Sequence, residues 1–339
     1  MINIYGIKRK DLEDYFLSNG QKKFNALQIF EWVYGKGAKS FQEMTNIKKD
    51  FQDKLSSDFE FKMIKIKRKQ EDKLTKKYLF ELLDGNYVEA VLMNHDYGKS
   101  ICVSSEVGCN MACAFCESGR LKKVRNLEAY EMVEQVLLVE KDIKERIDSV
   151  VIMGIGEPLD NYNNVMDFIK IINDPKALAI GARHITLSTC GIIPKMKELM
   201  NENLQINLAV SLHAPNTQLR NKLMPVNKAY SLPRLMETIK EYIDKTNRRV
   251  TIEYVMLNEV NDNETQANEL ASLLKGLNVY VNLIPYNETN HIEFKKSGKD
   301  RIMKFYDTLK KRGINVTIRK EFGSNIDAAC GQLRSKEVK

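Results

Sequence analysis

No apolar run in this 339-residue sequence approaches the roughly 18 residues that a membrane-spanning helix needs. The opening stretch MINIYGIKRKDLEDYF is too polar for a secretory signal, so a cytoplasmic location is expected. Short-period repeats and low-complexity tracts are missing too. Hydrophobic residues make up 43% and charged residues 29%, which excludes a disordered chain and suits a large globular domain with a smaller one attached. Acidic residues fall short of basic ones, 45 against 53, leaving a formal net charge of +8. That excess fits an anionic partner, nucleic acid above all, although a basic soluble protein needs no such partner.

Cysteine is also scarce, six in all, yet three of them fall within eight residues: Cys109, Cys113 and Cys116 in GCNMACAFCESG. In a reducing compartment clustered thiols point to metal binding or catalysis rather than to disulfides. What the cluster lacks is a fourth member. Structural zinc closes its tetrahedron with four protein ligands, usually as two close pairs, and neither Cys102 nor His95 has the spacing of a second pair. An ordinary [4Fe–4S] cluster takes four thiolates, so three leave one iron open to a substrate or cofactor. A site-open cluster is the preferred reading, with structural zinc and unligated cysteines as the alternatives.

Residues 1 to about 60 read as helical and polar. KKFNALQIFEWVYGKG places Phe24, Leu27, Phe30, Val33 and Tyr34 on one expected apolar face, stopped by Gly35 and Gly37. The basic stretch KMIKIKRKQEDKLTKK from Lys62 suits contact with a phosphate backbone, or is simply a solvated face. Two strand-like runs follow around the turn Asp84-Gly85-Asn86. From about residue 95, apolar strand-like runs (SICVSSE, DSVVIMG, HITLST, QINLAVSLH, RVTIEYVML, LNVYVNLIP, INVTIR) alternate with helical segments such as LEAYEMVEQVLLVEKDIKERI and DRIMKFYDTLKKRG. Strand then helix, about six times over, predicts a parallel sheet with helices outside, and ligands at the carboxyl ends of the strands. The cysteine loop follows the first of these strands.

The C-x3-C-x2-C spacing, with Phe115 before the last cysteine, resembles the radical S-adenosylmethionine (SAM) superfamily. The resemblance implies that the open iron chelates the cofactor, and that one electron splits its sulfonium to a 5′-deoxyadenosyl radical. MGIGEPL resembles the superfamily's glycine–glutamate motif: Gly154 and Gly156 allow close backbone approach, and Glu157 can accept from the cofactor's ammonium. Ser188, and Ser211, Leu212 and His213, also end predicted strands; the plain alternative for such serines is a turn or helix cap.

Beyond the superfamily, the chain resembles the RlmN/Cfr family of ribosomal RNA adenine methyltransferases, nearer its RlmN branch. The segments FNALQIFEWVY, LFELLDGNYVEAVLM, CVSSEVGCNMACAFC, MGIGEPLDN, LAVSLHAPN, RVTIEYVML, VNLIPYN and IDAACGQL carry the likeness over nearly the whole chain. It implies an α/β fold: a partial (β/α)6 radical SAM barrel over 95–324, an N-terminal accessory RNA-binding region over 1–94, and a C-terminal segment, 325–339. It implies methylation at C2 of an adenine in 23S rRNA, with tRNA as a second substrate. Adenine C2 has no lone pair to attack a sulfonium methyl, so polar transfer fails. In the family's solution Cys330 takes a methyl from one SAM. A second SAM at the same cluster gives the radical that activates this methyl toward the base, Glu89 removes the ring proton, and Cys102 attacks Cys330 to free the RNA as a disulfide forms.

Carried over by residue, Cys109, Cys113 and Cys116 ligate the [4Fe–4S] cluster, and Gly156, Glu157, Ser188, Ser211, Leu212, His213 and Asn287 contact SAM. His213 can contribute backbone alone; Glu89 as a surface carboxylate and Asn287 as a turn residue are the plain alternatives. A flavodoxin-like electron donor and a monomer are expected, with no membrane partner. Glu117 stands where the family usually has a small residue, and Cys190 where it has Ser or Val; neither is given a role. Pro158 fits the C2 branch, whereas C8 enzymes, the first rival, often carry Ala there. The second rival is a zinc protein that binds RNA without catalysis.

Overall fold

The computed structural model describes residues 1–289, 291–320, 326 and 332. Its first 60 residues gather a core of their own. Helices α1 (Arg9–Ser18), α2 (Lys23–Phe30) and α3 (Lys49–Asp58) turn Leu12, Phe16, Ile29, Phe30, Phe51 and Leu55 onto one another. The buried side of α2 is not the expected one. Ala26, Ile29, Phe30 and Val33 face inward, while Phe24 is 62% exposed. At 3.6 residues per turn a run of strict threes drifts around the helix, so Phe24 and Val33 end on opposite sides. Beyond Phe30 the chain widens into a π-type turn, Glu31–Gly35, and the Tyr34 hydroxyl donates to the Tyr5 carbonyl at 3.0 Å.

The rest of the described chain is built on one ten-stranded sheet whose spatial order follows the sequence. Strands β1 (Lys65–Asp72), β2 (Thr75–Glu81), β3 (Tyr87–His95) and β4 (Gly98–Val103) are antiparallel neighbours. From β4 onward, β5 (Ser149–Ile152), β6 (Ile185–Thr189), β7 (Asn207–Ser211), β8 (Val250–Met256), β9 (Val279–Pro285) and β10 (Val316–Ile318) all run parallel. Parallel neighbours need crossovers. These carry α4 (Ala129–Ile143), α5 (Tyr162–Asn173), α6 (Ile193–Leu199), α7 (Thr217–Leu223), α8 (Leu232–Thr246), α9 (Glu264–Leu274) and α10 (Lys299–Lys311). Each of β4 to β9 is followed by helix: the alternation anticipated the parallel sheet with helices outside, and the resemblance implied the partial (β/α)6 barrel. The two seven-residue helices, α6 and α7, are too short to show a period and were not anticipated.

The apolar clusters divide earlier than the break expected at residue 94. Tyr78 and Phe80 of β2 and Val88, Ala90 and Leu92 of β3 belong to the large core, with Ile101, Val103, Met132 and Val136. The hairpin is therefore part of the barrel sheet, and the separate body ends near residue 60. The seam between them is mixed: Tyr34 of the body and Tyr130, Leu137 and Ala177 of the barrel pack across it, and around them Lys8 meets Asp167 at 2.7 Å, Arg9 meets Asp174 at 3.1 Å, and Lys176 meets Glu31 at 2.8 Å. Most of the basic stretch lies on β1, the sheet's outermost strand, with Lys65, Lys67, Arg68 and Lys69 exposed, while its last residues, Lys76 and the buried Lys77, belong to β2. Charge there also discourages edge-to-edge pairing. Among the described residues no helix is long and apolar enough to cross a membrane.

Strand alternation gives the sheet two unlike faces. The outer one joins the helices. On the inner one, Val91, Met93, Cys102 and Ile155 form a small separate cluster with Val151, Met153 and Ile326.

Candidate active site

At the carboxyl ends of the parallel strands the loops surround about 960 Å³ of atom-free space, partly open to solvent. Cys109, Cys113 and Cys116 line it, from the loop after β4. Gly156 and Glu157 come from the loop after β5, Ser188 and Cys190 from the end of β6, and Ser211 and His213 from the end of β7. Of the expected cofactor contacts, Leu212 and Asn287 do not line the cavity. Leu212 is fully buried and its N–H donates to the Glu253 carbonyl at 3.1 Å. The Asn287 amide reaches back to the Pro285 carbonyl at 3.5 Å.

The cysteine loop is fastened by backbone bonds from Cys109 to Leu121 (2.9 Å), Ala114 to Leu223 (2.9 Å) and Cys116 to Cys113 (3.1 Å). Burial, with lesser contributions from neighbouring acids and thiols, pushes the Cys109 thiol up to about 12 and the Cys113 thiol well above its ordinary value. Thiolates at these positions need a compensating positive charge, which a metal supplies. Among the described residues no three His, Cys, Asp or Glu side chains gather closely enough for one metal ion. Tetrahedral zinc would draw its sulfurs to about 2.3 Å from one centre. Three thiols are one short of the four protein ligands of structural zinc and match a cluster with one open iron, so the donor set fits iron–sulfur better than zinc.

Glu157 is buried, and burial raises its carboxyl. One oxygen accepts from the Cys190 N–H at 2.7 Å, the other from the Leu159 N–H at 3.0 Å. The carboxylate thus ties two site loops together and keeps lone pairs for a ligand ammonium. The glycines before it have distinct tasks. Gly154 also lines the cavity, and a Cβ there would lie 2.6 Å from the Val103 carbonyl, so only glycine lets this loop pack against β4. Gly156 has φ +112°, and a Cβ there would meet the Glu106 side chain at 2.7 Å.

His213 is held as a neutral ring, because burial pushes it down to about 3. Its Nδ1 accepts from the Val255 N–H at 3.0 Å, its carbonyl accepts from Asn261 at 2.9 Å, and Phe115 stands edge-on at 4.8 Å. Sequence reasoning missed Arg220. This fully buried guanidinium donates to the carbonyls of Cys190 (2.7 Å), Leu212 (3.3 Å) and Ser211 (3.4 Å), stapling the ends of β6 and β7. An arginine in a seven-residue helix carries no signal of that task. Two more buried acids were missed: Glu253, which accepts from Asn282 at 3.0 Å, and Glu106, 2.6 Å from Lys123 and raised to about 7 by burial. Cys190 lies in the cavity wall, its thiol pushed up by burial; Glu117 is buried, with Arg120 at 3.9 Å.

Glu89 is buried rather than a surface carboxylate. It shares the inner face with Cys102, whose register partner Val91 lies two residues along the same strand. Cys102 packs with Met153, which also lines the cavity. Cys330 lies outside the described residues. Ile326, four residues before it, packs in the Cys102 cluster, and Gln332, two after it, donates to the Glu288 carbonyl at 3.1 Å.

Two family models match: the Radical SAM superfamily over residues 103–271, and the ribosomal RNA large subunit methyltransferase N-terminal domain over residues 2–61. The second ends where the helical body ends. The chain is 52% identical to a probable dual-specificity RNA methyltransferase RlmN of Enterococcus faecalis, across 99% of this chain and 97% of the relative. It is 53% identical to one of Streptococcus thermophilus, across 99% and 89%. A radical SAM methyltransferase from Sphaerobacter thermophilus, whose crystal structure is known, superimposes with a TM-score of 0.92 at 38% identity, covering 98% of this chain and 99% of that one.

Proposed function

The chain belongs to the RlmN family of radical SAM RNA methyltransferases, and from that premise we propose that it methylates C2 of an adenine in 23S rRNA and of the adenine 3′ of the anticodon in tRNA. The observation that carries the reading is one cavity ringed by three thiols, with a buried carboxylate and a further cysteine on the adjoining inner face.

Cys109, Cys113 and Cys116 would hold the [4Fe–4S] cluster, and Gly156, Glu157, Ser188, Ser211, Leu212, His213 and Asn287 are assigned to SAM. When bound, these groups supply one-electron cleavage of a sulfonium, and so a carbon radical able to activate an unreactive methyl group. Cys330 is the methyl acceptor, and two SAM molecules are used per turnover. Sulfur is needed there because it accepts the methyl as a thiolate and later exchanges with a thiol. Glu89 takes the ring proton, as a carboxylate within the protein interior can. The Cys102 thiolate attacks the Cys330 sulfur, the S–C bond breaks with its electron pair going to the adenine methylene, that carbon takes up a proton to become the methyl, and an external dithiol reopens the disulfide. The adenine enters turned out of its stack. The helical body and the exposed lysines of β1 grip RNA phosphates, so binding weakens steeply with salt. A flavodoxin-like protein donates the electron, and the enzyme acts as a monomer.

Nucleoside mass spectrometry of rRNA and tRNA from cells lacking and expressing the gene tests this. The expected product is 2-methyladenosine in both RNAs. 8-Methyladenosine would transfer the chain to the C8 reading, and an unchanged profile would overturn methylation altogether.

A further inference from the structure

Lys77 is a lysine buried on the inner face of the barrel sheet, and nothing in the reaction above uses it. Its Nζ stands 2.9 Å from the Glu89 carboxylate, with the two side chains 6% and 2% exposed. The antiparallel register explains the meeting. Lys77 lies opposite Val91 and Glu89 opposite Leu79, so the two charges are diagonal neighbours on one face, and Val91 lies opposite Cys102 in turn. Ion pairs of this kind are poor stabilisers: desolvation consumes most of the attraction, and apolar pairs of similar volume often do as well. Stability therefore does not explain why β2 buries a lysine at this position.

We propose that Lys77 is the positioning residue for proton removal: its buried ammonium keeps Glu89 a carboxylate, and so a competent base, throughout the neutral range. The inference rests on Glu89 being the base. In the step concerned, the C–H bond of the RNA carbon breaks, an O–H bond forms on Glu89, the C–H electron pair stays in the ring, and the adduct's one unpaired electron passes to a one-electron acceptor, the oxidised form of the electron carrier. A carboxyl group this deeply buried and alone would hold a proton near neutrality and could accept none. An ammonium at salt-bridge distance reverses that preference.

Other groups face the pair less directly. Arg68 of β1 lies beyond Leu79 in the same cross-strand row, Gln70 lies beside Lys77, and Cys102 lies one strand away past Val91. His95 is farther along β3, and Glu253 and Arg319 line the cavity beside Met153.

The test uses the full chain with its cluster reconstituted, in single turnover on substrate RNA, from mildly acidic to mildly alkaline pH. Covalent RNA–protein adduct, methylated RNA and 5′-deoxyadenosine are followed separately. With Lys77→Met, adduct accumulates at neutral pH and resolves only in alkali, the midpoint moving up by about 1 to 3 pH units. Lys77→Arg returns the profile toward wild type, and 5′-deoxyadenosine formation and the KM for RNA stay unchanged in both. Lys77→Gln, a donor without charge, serves if the methionine variant does not fold and must show the same displacement. A wild-type pH profile in the uncharged variants, or an equal loss at every pH, overturns the proposal. Glu89→Gln separates the two ideas: it should trap adduct at every pH, and normal turnover there would sink the base assignment itself.

Discussion

The helical body and the barrel are held together in opposite ways inside and alike only at their seam. The body closes on aromatic contacts, such as Phe16 edge-on to Phe51 at 4.8 Å and Tyr15 to Phe59 at 4.8 Å, and none of the expected site residues belongs to it. The barrel has a mainly aliphatic outer core, with a few aromatic pairs such as Tyr254 and Phe305, and a second, inner face where a lysine, a glutamate and a cysteine are buried. The seam between them adds a few apolar contacts, such as those of Tyr34 and Leu137, to ion pairs of the exposed or half-exposed kind, each worth roughly 0 to 1 kcal/mol. The body has its own core and none of the expected site residues, so chemistry and docking should fail independently.

The sharpest way to break that independence is at the cluster. Cys113→Ala removes one thiolate from a set already one short of four, and two thiolates do not hold a cube. S-Adenosylmethionine cleavage should fall below detection and iron content with it. The thermal transition of the body should not move. An iron-replete variant that still releases 5′-deoxyadenosine would overturn the ligand assignment.

Cys102→Ala comes next. The residue is buried on the inner face, and trimming a thiol to a methyl changes packing little. The cleavage step should survive, while RNA stays attached to the protein for lack of a thiolate to release it. Gel mobility of denatured protein after turnover reads this directly. Clean release of methylated RNA would reject the resolving role.

How much of this was legible in the sequence follows the physics of each signal. The parallel strands were readable because both faces of a buried strand are apolar, and the runs from SICVSSE to INVTIR all became strands of one sheet. The cysteine loop was readable because three thiols at fixed spacing have few other uses. Long-range partnership leaves no local trace. Lys77 and Glu89 are neighbours only through hairpin register, and Arg220 reaches Cys190 across thirty residues. The face of α2 misled for a different reason: Phe24 is apolar, but helical geometry turns it outward, and apolar character alone does not fix direction.

A core substitution in the body sharpens the comparison at lower cost. Leu55 is fully buried among the aromatics of α1 and α3. Leu55→Ala should destabilise the body by about 2 to 5 kcal/mol, the usual cost of such a cavity. If the body is a separable module, the loss appears as an earlier, small calorimetric transition, with SAM cleavage intact at moderate temperature. A single transition moving as a whole would show the two regions to be one cooperative unit.

The smallest effect sits at the seam itself. Glu134 of α4 is buried where the body meets the barrel, accepting from the Ile64 N–H at 2.8 Å and from Asn3 at 3.4 Å. Burial lifts its carboxyl from an ordinary 4.5 to about 8. Between those values the folded state keeps a proton that the unfolded chain has released. The stability linked to that proton is complete below the unfolded value and drains away as the pH rises through 8. The slope is about 1.4 kcal/mol per pH unit at most, or a Tm lower by a few degrees between neutral and mildly alkaline solution. Glu134→Gln keeps the shape and cannot ionise. Its Tm should stay level over that interval while the wild type falls, and parallel curves would mean that Glu134 is already charged at the seam.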